Sequence, residues 1–362
     1  MSVIQVHVPR IVKNIKKLND YMDKHGKEWT LIQKVLGSNK DVLKELLKSK
    51  EIKRLHSVGD SHLSGLKAVK EIDPSIVTMY IKPPAIKYVE NVIKYADISL
   101  NTTFNTIEVL NEEAKRQGKI HKVIIMIEMG ELREGIVREN ILEFYGRIFE
   151  LENIEVIGLG TNLGCMYGVE PTYDKLIQLC LYEQLVEARF NKKMGYISGG
   201  SSITLPLIGN KKIPAGVNHF RIGEAAFLGT SPLNNKKFRN LSTATFHLKA
   251  NIVELYKKDN QPDGKISEGN VGHTAELEID SRSHRAIVDF GSLDVDPKNV
   301  SPRSKGIKFF GNSSDMTVYD IGSNPKNLKA GDVITFNLSY MAVAKLMNSR
   351  FVDKQVQKYK GD

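Results

Sequence analysis

One lysine interrupts a short apolar run near the start of the chain. The run is TLIQKVLG, residues 30–37, and Lys34 lies near its end. Its apolar residues are typical of a buried strand in a parallel sheet. Burial of an amine favours the uncharged form, and an uncharged amine can attack an aldehyde. Lys34 is therefore a candidate for Schiff-base chemistry, although a solvated lysine at the rim of a sheet is the commoner arrangement.

Four other segments carry polar or glycine-rich residues directly after an apolar run. They contain Arg133, residues 162–165 (NLGC), residues 199–202 (GGSS) and residues 221–224 (RIGE). A Gly-Gly-Ser-Ser sequence lets backbone amides and hydroxyls approach an anion closely. It is also common in ordinary turns, so its interpretation depends on the elements around it.

These segments belong to a regular alternation of apolar strands and helices. The predicted strands are residues 30–37, 54–59, 76–81, 98–102, 122–129, 156–162, 194–199 and 219–223. Eight short strands that alternate with helices are typical of a closed β/α barrel. An open doubly wound sheet is the alternative, but no predicted strand is followed by a GxGxxG turn and a helix. We therefore predict an α/β fold with a (β/α)8 barrel of the TIM type.

The barrel gives the polar segments a common position. The functional site of such a barrel lies at the carboxyl ends of the strands, and the loops after the seventh and eighth strands recurrently bind phosphate. The GGSS and RIGE segments follow those two strands. With a lysine after the first strand and an arginine in the eighth, pyridoxal 5'-phosphate is a natural ligand for this set of residues.

The sequence changes character from about Asn240. Alternating apolar runs separated by Gly, Pro, Asn and Asp replace the helical periods, which indicates an antiparallel β domain. The runs are TFHLKANIVELY, TAELEID, RAIVDFG, IKFFG, MTVYDI and DVITFNLS. The strand Val3–His7 precedes the first barrel helix and could join this domain. We predict a barrel over residues 10–232 and a C-terminal β domain over residues 1–9 and 233–362.

Composition and charge argue against several classes of protein. The 362 residues are 41% hydrophobic and 26% charged. No segment approaches the roughly 18 apolar residues of a membrane span, and the N-terminus lacks the pattern of a secretory signal. The net charge of +10 is spread over helical faces without a basic block among aromatic residues, which argues against a nucleic-acid partner. Two cysteines, Cys165 and Cys180, form no disulfide framework, and we expect a cytoplasmic enzyme.

Five stretches of the barrel, in this order, resemble a known group of proteins. They are QKV around Lys34, MGELREGI (129–136), GTNLGC (160–165), SGGSS (198–202) with Leu-Pro at 205–206, and NHFRIGEA (218–225). The series resembles the alanine racemase-like, fold-type III pyridoxal-phosphate proteins, and within them the ornithine racemase branch. The resemblance extends more loosely into the β domain. There, FFGNSSDMTVYDI (309–321) resembles the segment that carries the family's aspartate near the substrate carboxylate.

The resemblance implies a role for each residue at the strand ends. Lys34 would form the internal aldimine with the cofactor and act as acid and base on one of its faces. Arg221 would face the pyridine nitrogen. Because a guanidinium only donates hydrogen bonds, that nitrogen would stay unprotonated, and the carbanion at Cα would be reprotonated promptly. The cofactor phosphate would be held by Ser201, Ser202, Gly223 and Glu224.

Two further residues would lie near the cofactor. Arg133 resembles an arginine that reaches toward the cofactor phenolate or the substrate carboxylate, and Asn162 stands where many alanine racemases have a histidine near the ring. The two arginines also have ordinary alternatives. Arg221 could form a salt bridge at the barrel rim, and Arg133 could be a solvated loop residue beside two glutamates.

Racemisation needs a second acid–base group on the face opposite Lys34. In alanine racemases it is a tyrosine from the partner subunit's β domain, and matching AIVDFGSLD (286–294) to that segment puts Ser292 at the tyrosine position. The sequence therefore does not identify the second acid–base group. The candidates are Cys165, Asp294, Asp315 and His273, each of which also has an ordinary structural interpretation. Asp315 is the preferred substrate contact from the partner chain, so we expect a homodimer whose sites are completed by the partner's β domain.

The function predicted from these residues is a pyridoxal-phosphate-dependent amino-acid racemase, whose small-molecule substrate is a basic amino acid such as ornithine. A fold-type III diamino-acid decarboxylase is an alternative, but such enzymes usually carry a cysteine motif in the β domain, and no cysteine follows Cys180. A non-catalytic pyridoxal-phosphate protein is a second alternative, although such proteins resemble a bare barrel. A metal-assisted aldolase is a third, and the C-terminal half offers it no close cluster of ligands.

Overall fold

A computed structural model describes residues 1–267, 269, 272–274 and 282–359. The chain divides into two compact units. The barrel unit is made mainly of Pro9–Lys34 and Ser38–Thr243. The β unit consists of Met1–Val8, Val35–Gly37 and Ala244–Lys358. The predicted bounds, 10–232 for the barrel and 1–9 with 233–362 for the β domain, stay a prediction.

The barrel unit contains eight parallel strands that close on themselves in chain order. After β1 (Val3–His7) of the other unit, the strands are β2 (Glu28–Ile32), β3 (Ser57–Asp60), β4 (Thr78–Tyr80), β5 (Ile98–Asn101), β6 (His121–Met126), β7 (Ile154–Gly160), β8 (Tyr196–Ser201) and β9 (His219–Ile222). Strand β9 pairs with β2 and closes the barrel. The predicted fold class is confirmed.

Helices follow the strands as the alternating pattern predicts. They are α1 (Val8–Lys24), α2 (Lys40–Leu47), α3 (Leu63–Ile72), α4 (Val89–Tyr95), α5 (Phe104–Arg116), α6 (Ile141–Ile148), α7 (Tyr173–Phe190), α8 (Leu205–Gly209) and α9 (Glu224–Leu228). Apolar side chains of β4 to β7 pack together and include Met79, Leu100 and Met126. Burial of such side chains contributes about 1.5–3 kcal/mol each and holds the strands that carry the site.

The apolar run predicts that Lys34 lies inside the first barrel strand, but the structure places it just after the end of that strand. Strand β2 ends at Ile32, and Lys34 begins a one-turn 3-10 helix, Lys34–Leu36, with its side chain exposed. The apolar run is buried on both sides of the lysine, but the chain must turn toward α2 within a few residues. Gly37 and Ser38 both adopt positive φ angles of 59° to make that turn. Strand β2 therefore ends at Ile32, although the apolar run continues to residue 37.

The β unit is built around one long strand. Its strands are β12 (Phe246–Asp259), β13 (His273–Thr274), β14 (Arg282–Val288), β15 (Val300–Pro302), β16 (Lys308–Asn312), β17 (Thr317–Asp320), β18 (Val333–Leu338) and β19 (Asp353–Gln357), after the two-stranded pair β10 (Thr230–Ser231) and β11 (Lys236–Lys237) of the barrel unit. β12 pairs antiparallel with β1, β14 and β18. β1 also pairs in parallel with β19, so the N-terminal strand joins this sheet.

The predicted strand TAELEID falls mostly on residues 275–280, which lie outside the described residues. The expectation that helices disappear after Asn240 is wrong, because α10 spans Tyr340–Asn348. Ser339 caps it by accepting from the amide of Ala342, and its apolar residues at 342, 343, 346 and 347 are buried on one face. The buried residues repeat four positions apart, which is the periodicity of a helix and not of an alternating strand.

Within the described ranges, no helix combines the length and apolar character needed to cross a membrane. The same ranges contain no group of three or more His, Cys, Asp or Glu side chains arranged to bind a metal ion.

Candidate active site

The loops after β2, β8 and β9 meet at the carboxyl ends of the barrel strands. Ser201, the last residue of β8, is the register partner of Arg221 on β9. The Ser202 hydroxyl accepts a hydrogen bond from the amide of Ala225 at 3.2 Å. At Gly223, a Cβ would lie 3.0 Å from the carbonyl oxygen of Ile32 at the end of β2. The predicted phosphate-binding segments are thus brought together, next to the turn that carries Lys34.

The GGSS segment is a bulged strand end. Ser198 pairs with His219 and Ser201 pairs with Arg221. A step of three residues along β8 therefore matches a step of two residues along β9, which is a β-bulge. Gly200 has a φ of +117°, and a Cβ there would lie 2.7 Å from Thr204 Oγ1. Only glycine fits this backbone conformation without strain, and its lack of a side chain leaves the loop backbone open to close approach.

Arg221 lies inside the barrel rather than in a salt bridge at its rim. Its side chain is 6% exposed. Nη1 donates to the Ser198 hydroxyl at 2.5 Å and Nη2 donates to the carbonyl oxygen of Thr161 at 2.7 Å. Burial lowers the pKa of Arg221 to about 10, against an opposing effect of the Glu134 carboxylate. The guanidinium therefore stays charged at neutral pH, in a fixed orientation.

A second group of side chains surrounds Arg133 on the loop after β6. Its Nη1 donates to Cys165 Sγ, and its Nε and Nη2 donate to the Glu134 carboxylate. With the Asn162 amide oxygen turned toward the guanidinium, that oxygen accepts from Nη1 and Nη2 at 2.9 and 3.0 Å. Arg133 is thus engaged by three neighbours, although 36% of its side chain is exposed. The predicted site residues Arg133, Asn162 and Cys165 form one cluster.

The loop that carries Cys165 is fastened to the buried carboxylate of Glu131. This carboxylate accepts from the amides of Cys165, Tyr167 and Val169 at 3.1, 3.0 and 2.8 Å. Burial raises the pKa of Glu131, but the backbone hydrogen bonds together outweigh it and lower the pKa. A second acid on the same side of the barrel behaves differently. The Glu224 carboxylate accepts from Thr230 Oγ1 at 2.9 Å, and burial raises its pKa.

Within the β unit, the predicted residues lie on two neighbouring turns. Asp315 is exposed in the turn between β16 and β17. The amide and the hydroxyl of Ser292 both donate to the carbonyl oxygen of Ser313, at 3.1 and 3.2 Å. Asp294 accepts from the amide of Gly291 in the same turn as Ser292. His273 lies on β13 with an exposed side chain. The unit therefore gathers Ser292, Asp294 and Asp315 at one place.

Comparison with known proteins places this geometry in a family. The model of the family described as "Alanine racemase, N-terminal domain" matches residues 6–232. The chain belongs to this alanine racemase family. It is 34% identical over 356 residues to an ornithine racemase from Acetoanaerobium sticklandii, covering 96% of this chain and 99% of that protein. It is 28% identical over 349 residues to a lysine racemase from Thermotoga maritima, covering 96% of each chain.

The fold of the whole chain has a counterpart among solved structures. An alanine racemase from Bartonella henselae with covalently bound pyridoxal phosphate superposes with a TM-score of 0.74, covering 98% of this chain and 99% of that one at 15% identity. Family membership confirms the resemblance in the sequence. It also confirms the predicted class of enzyme, an amino-acid racemase that depends on pyridoxal phosphate.

Three residues that shape the site were not selected from the sequence: Ser198, His219 and Glu131. Side chains two apart on a strand point to the same side, so His219 shares the inward direction of Arg221. That periodicity could have indicated it. Nothing in the loop sequence distinguishes Glu131 from the neighbouring acids Glu128 and Glu134.

Proposed function

We propose that this racemase acts on a basic amino acid such as ornithine, with Lys34 as the residue that binds the cofactor. The observation that carries the assignment of the site is the meeting of Lys34, the Ser201–Ser202 loop and a buried Arg221 at the carboxyl ends of β2, β8 and β9. The choice of substrate is supported by the ornithine and lysine racemases, each of which matches 96% of the chain.

The residues at the strand ends fit pyridoxal phosphate. The Ser202 hydroxyl already accepts a hydrogen bond from an amide, so its own proton remains available for a phosphate oxygen. Ser201 and the amides of Gly223 and Glu224 would complete the phosphate contacts. The open backbone at Gly200 lets such an anion come close. When bound, this cofactor withdraws electrons from Cα of the amino acid and makes its proton acidic.

Lys34 and Arg221 would act at opposite ends of the ring. The amine of Lys34, at the end of β2, would bind the cofactor aldehyde and move the α-proton on one face. Arg221 can only donate hydrogen bonds, so it would keep the ring nitrogen unprotonated. An unprotonated ring withdraws electrons less strongly, which favours prompt return of the proton and hence racemisation.

The cluster around Arg133 would serve the substrate and the second face. Arg133 would meet the cofactor phenolate or the substrate carboxylate, and Asn162 holds its guanidinium in place. Cys165 is a candidate for the second acid–base group because its thiol is exposed and lies against Arg133.

The active assembly would be a cytoplasmic homodimer. Asp315 is exposed on a turn of the β unit, and in the same turn the Ser313 carbonyl accepts from Ser292, the residue that the resemblance would put at the family's tyrosine position. We assign Asp315 to the active site of the partner subunit, where it would contact the substrate. Both cysteines are free, which fits a reducing compartment.

The test begins with the visible spectrum of the protein loaded with pyridoxal phosphate, before and after borohydride. The wild type should absorb in the visible region and keep the cofactor covalently after reduction, and Lys34→Ala should do neither. Lys27→Ala is the matched control, because Lys27 lies on the same chain segment before β2 and should retain both signals.

Substrate class is then measured by deuterium exchange at Cα in heavy water. Ornithine and lysine should exchange and racemise, while alanine should react at least about tenfold more slowly. Release of carbon dioxide from ornithine would instead support a decarboxylase. Equal rates for alanine and ornithine would contradict the basic-substrate proposal.

A further inference from the structure

A chain of buried hydrogen bonds extends from Arg221 through the polar half of the barrel interior. Arg221 Nη1 donates to Ser198 Oγ, which lies 2.9 Å from His219 Nδ1. On the other side of the ring, His219 Nε2 lies 2.9 Å from Thr30 Oγ1. Thr30 Oγ1 lies 2.7 Å from Ser57 Oγ. None of these four side chains beyond Arg221 is more than 2% exposed.

This series of hydrogen bonds ends near the amino ends of the barrel strands, at the end of the barrel opposite to Arg221. Ser57 Oγ is 3.1 Å from His56 Nδ1, and His56 lines a cavity of about 740 Å³ at the amino ends of the strands. The rings of His56 and His219 also meet edge to face, with centroids 4.8 Å apart. The Tyr196 ring also meets His219 edge to face, with centroids 5.6 Å apart, so His219 is held by two hydroxyls and two rings.

The donors in this chain can be assigned from one fact, which is that a guanidinium never accepts. Ser198 must accept from Arg221, so its own proton is free to go to His219 Nδ1. His219 Nε2 then donates to Thr30 Oγ1, and the proton of Thr30 can go to Ser57 Oγ or to Met79 Sδ at 3.8 Å. In the opposite tautomer, Ser198 would accept from both neighbours and its buried proton would need a third acceptor. Burial lowers the pKa of His219 well below its usual value, so the ring is neutral, as this assignment requires.

We propose that His219 is a positioning residue for the reaction: acting through Ser198, it holds the guanidinium of Arg221 in the orientation that meets the ring nitrogen of the cofactor. The inference rests on the role proposed above for Arg221. Hydrogen bonds that all point one way polarise one another, so the Ser198 oxygen becomes a better acceptor when His219 accepts its proton. Loss of that acceptor frees the Ser198 hydroxyl to rotate and leaves Arg221 with one well-defined partner, the Thr161 carbonyl.

The test compares variants of the full chain by two measurements that do not depend on turnover: the Kd for pyridoxal phosphate and the absorption band of the loaded enzyme. His219→Leu should raise the Kd about tenfold and shift the band, as expected for one weakened hydrogen bond to a charge. His219→Gln can accept from Ser198 and donate to Thr30, so it should stay within about threefold of the wild type. Rescue by the amide separates positioning from mere packing.

The matched control is His121→Leu. His121 is another buried histidine of the barrel, its Nε2 lies 2.7 Å from the hydroxyl of Ser99, and it does not contact Arg221. This variant should lower Tm as much as His219→Leu and leave the Kd and the band unchanged. If His219→Leu does not fold, Thr30→Val removes the partner of Nε2 without changing the shape of the side chain. It should change both readouts in the same direction, to a smaller extent.

The inference is overturned if His219→Leu or Thr30→Val keeps the wild-type Kd and band, or if His121→Leu changes them as much. Arg221→Lys separates this failure from failure of the proposed site. If Arg221→Lys also leaves the Kd and band unchanged, the role of Arg221 itself is wrong. If Arg221→Lys changes them and His219→Leu does not, only the positioning role is lost.

Discussion

The carboxylate of Glu131 accepts a hydrogen bond from the backbone amide of Cys165 at 3.1 Å, and the same carboxylate also holds the amides of Tyr167 and Val169. A single buried acid thus gives the loop after β7 its shape. Because Arg133 contacts Cys165 from the other side, the position of the thiol depends on both residues. Glu131 is a structural residue with a direct effect on the site.

We expect Glu131→Gln to destabilise the protein by about 2 kcal/mol, since hydrogen bonds to a charged group contribute about 1.5–3 kcal/mol and the amide replaces them only in part. The pKa of Glu131 is lowered on folding, so its contribution is complete above the ordinary pKa of 4.5 and is lost as the pH falls through the lower value of the folded state. The free energy of unfolding of wild type and variant, measured by urea titration, should therefore converge below pH 4. A constant difference down to pH 3 would contradict this account. Glu134→Gln is the control, because it bonds no backbone amide of this loop.

His121 should make folding sensitive to mild acid. Burial lowers its pKa from 6.5 to about 4, so between these values the unfolded chain binds a proton that the folded chain does not. Stability is then lost as the pH falls from about 6.5 to 4, by about 3 kcal/mol in total for this one group. His121→Gln should remove that part of the pH dependence, as measured by urea titrations at pH 7 and pH 4.5. The exposed His273 is the control, and an equal effect of His273→Gln would refute the assignment.

Gly200→Ala should impair cofactor binding more than folding. The alanine would have to adopt a φ of +117° and place its Cβ 2.7 Å from Thr204 Oγ1. Strain of this kind costs on the order of 1–3 kcal/mol, and relief by shifting the loop would displace Ser201 and Ser202. We expect a Kd for pyridoxal phosphate at least about tenfold above that of the wild type, measured by fluorescence titration.

Gly118→Ala is the matched control for this strain. Gly118 has a φ of +64° but no atom within 4 Å of a Cβ, and it lies after α5, far along the chain from the phosphate loop. It should lower Tm by a few degrees and leave the Kd unchanged. The proposed phosphate site would lose its support if both variants had the wild-type Kd.

The assignment of Asp315 to the partner's site can be tested by mixing two inactive variants. Lys34→Ala and Asp315→Ala should each be inactive alone. In a mixed dimer, one of the two sites would combine an intact lysine with an intact aspartate, so a random mixture should recover roughly a quarter of wild-type activity. Asp320→Ala, in the neighbouring strand β17, should not complement Lys34→Ala beyond what its own activity supplies. No recovery from exchanged subunits would mean that Asp315 acts within its own chain or not at all.

Most of the barrel could be predicted from the sequence because parallel strands that are buried on both faces consist of continuous apolar runs. The point at which each strand ends is harder to predict from such a run. Hydrophobicity continues through Val35 and Leu36, which are buried outside the strand, so the pattern could not show that β2 stops before Lys34. The positive φ angles that turn the chain there belong to Gly37 and to Ser38, and serine carries no such signal.

The arrangement inside the site depends on register, which no single strand reveals. Arg221 reaches Ser198 because a bulge at Gly199 and Gly200 shifts β8 against β9. Adjacent glycines in a strand indicate a bulge but not which side chains it brings together. Helix α10 is a different case, because its buried residues at 342, 343, 346 and 347 repeat four positions apart and the sequence itself carries that helical period.

Strand β1 lies between β12 and β19. Its residues pair with residues 246–249 on one edge and with residues 353–357 on the other. On the ribosome the chain grows by about 5–20 residues per second, and β1 therefore waits roughly 20 s to a minute for its last partner. All eight barrel strands emerge within that time, because β9 ends at Ile222. An apolar strand with both edges open is prone to wrong pairing. In the nascent chain, one edge of strand β1 therefore stays uncovered until residues 353–357 have been synthesised.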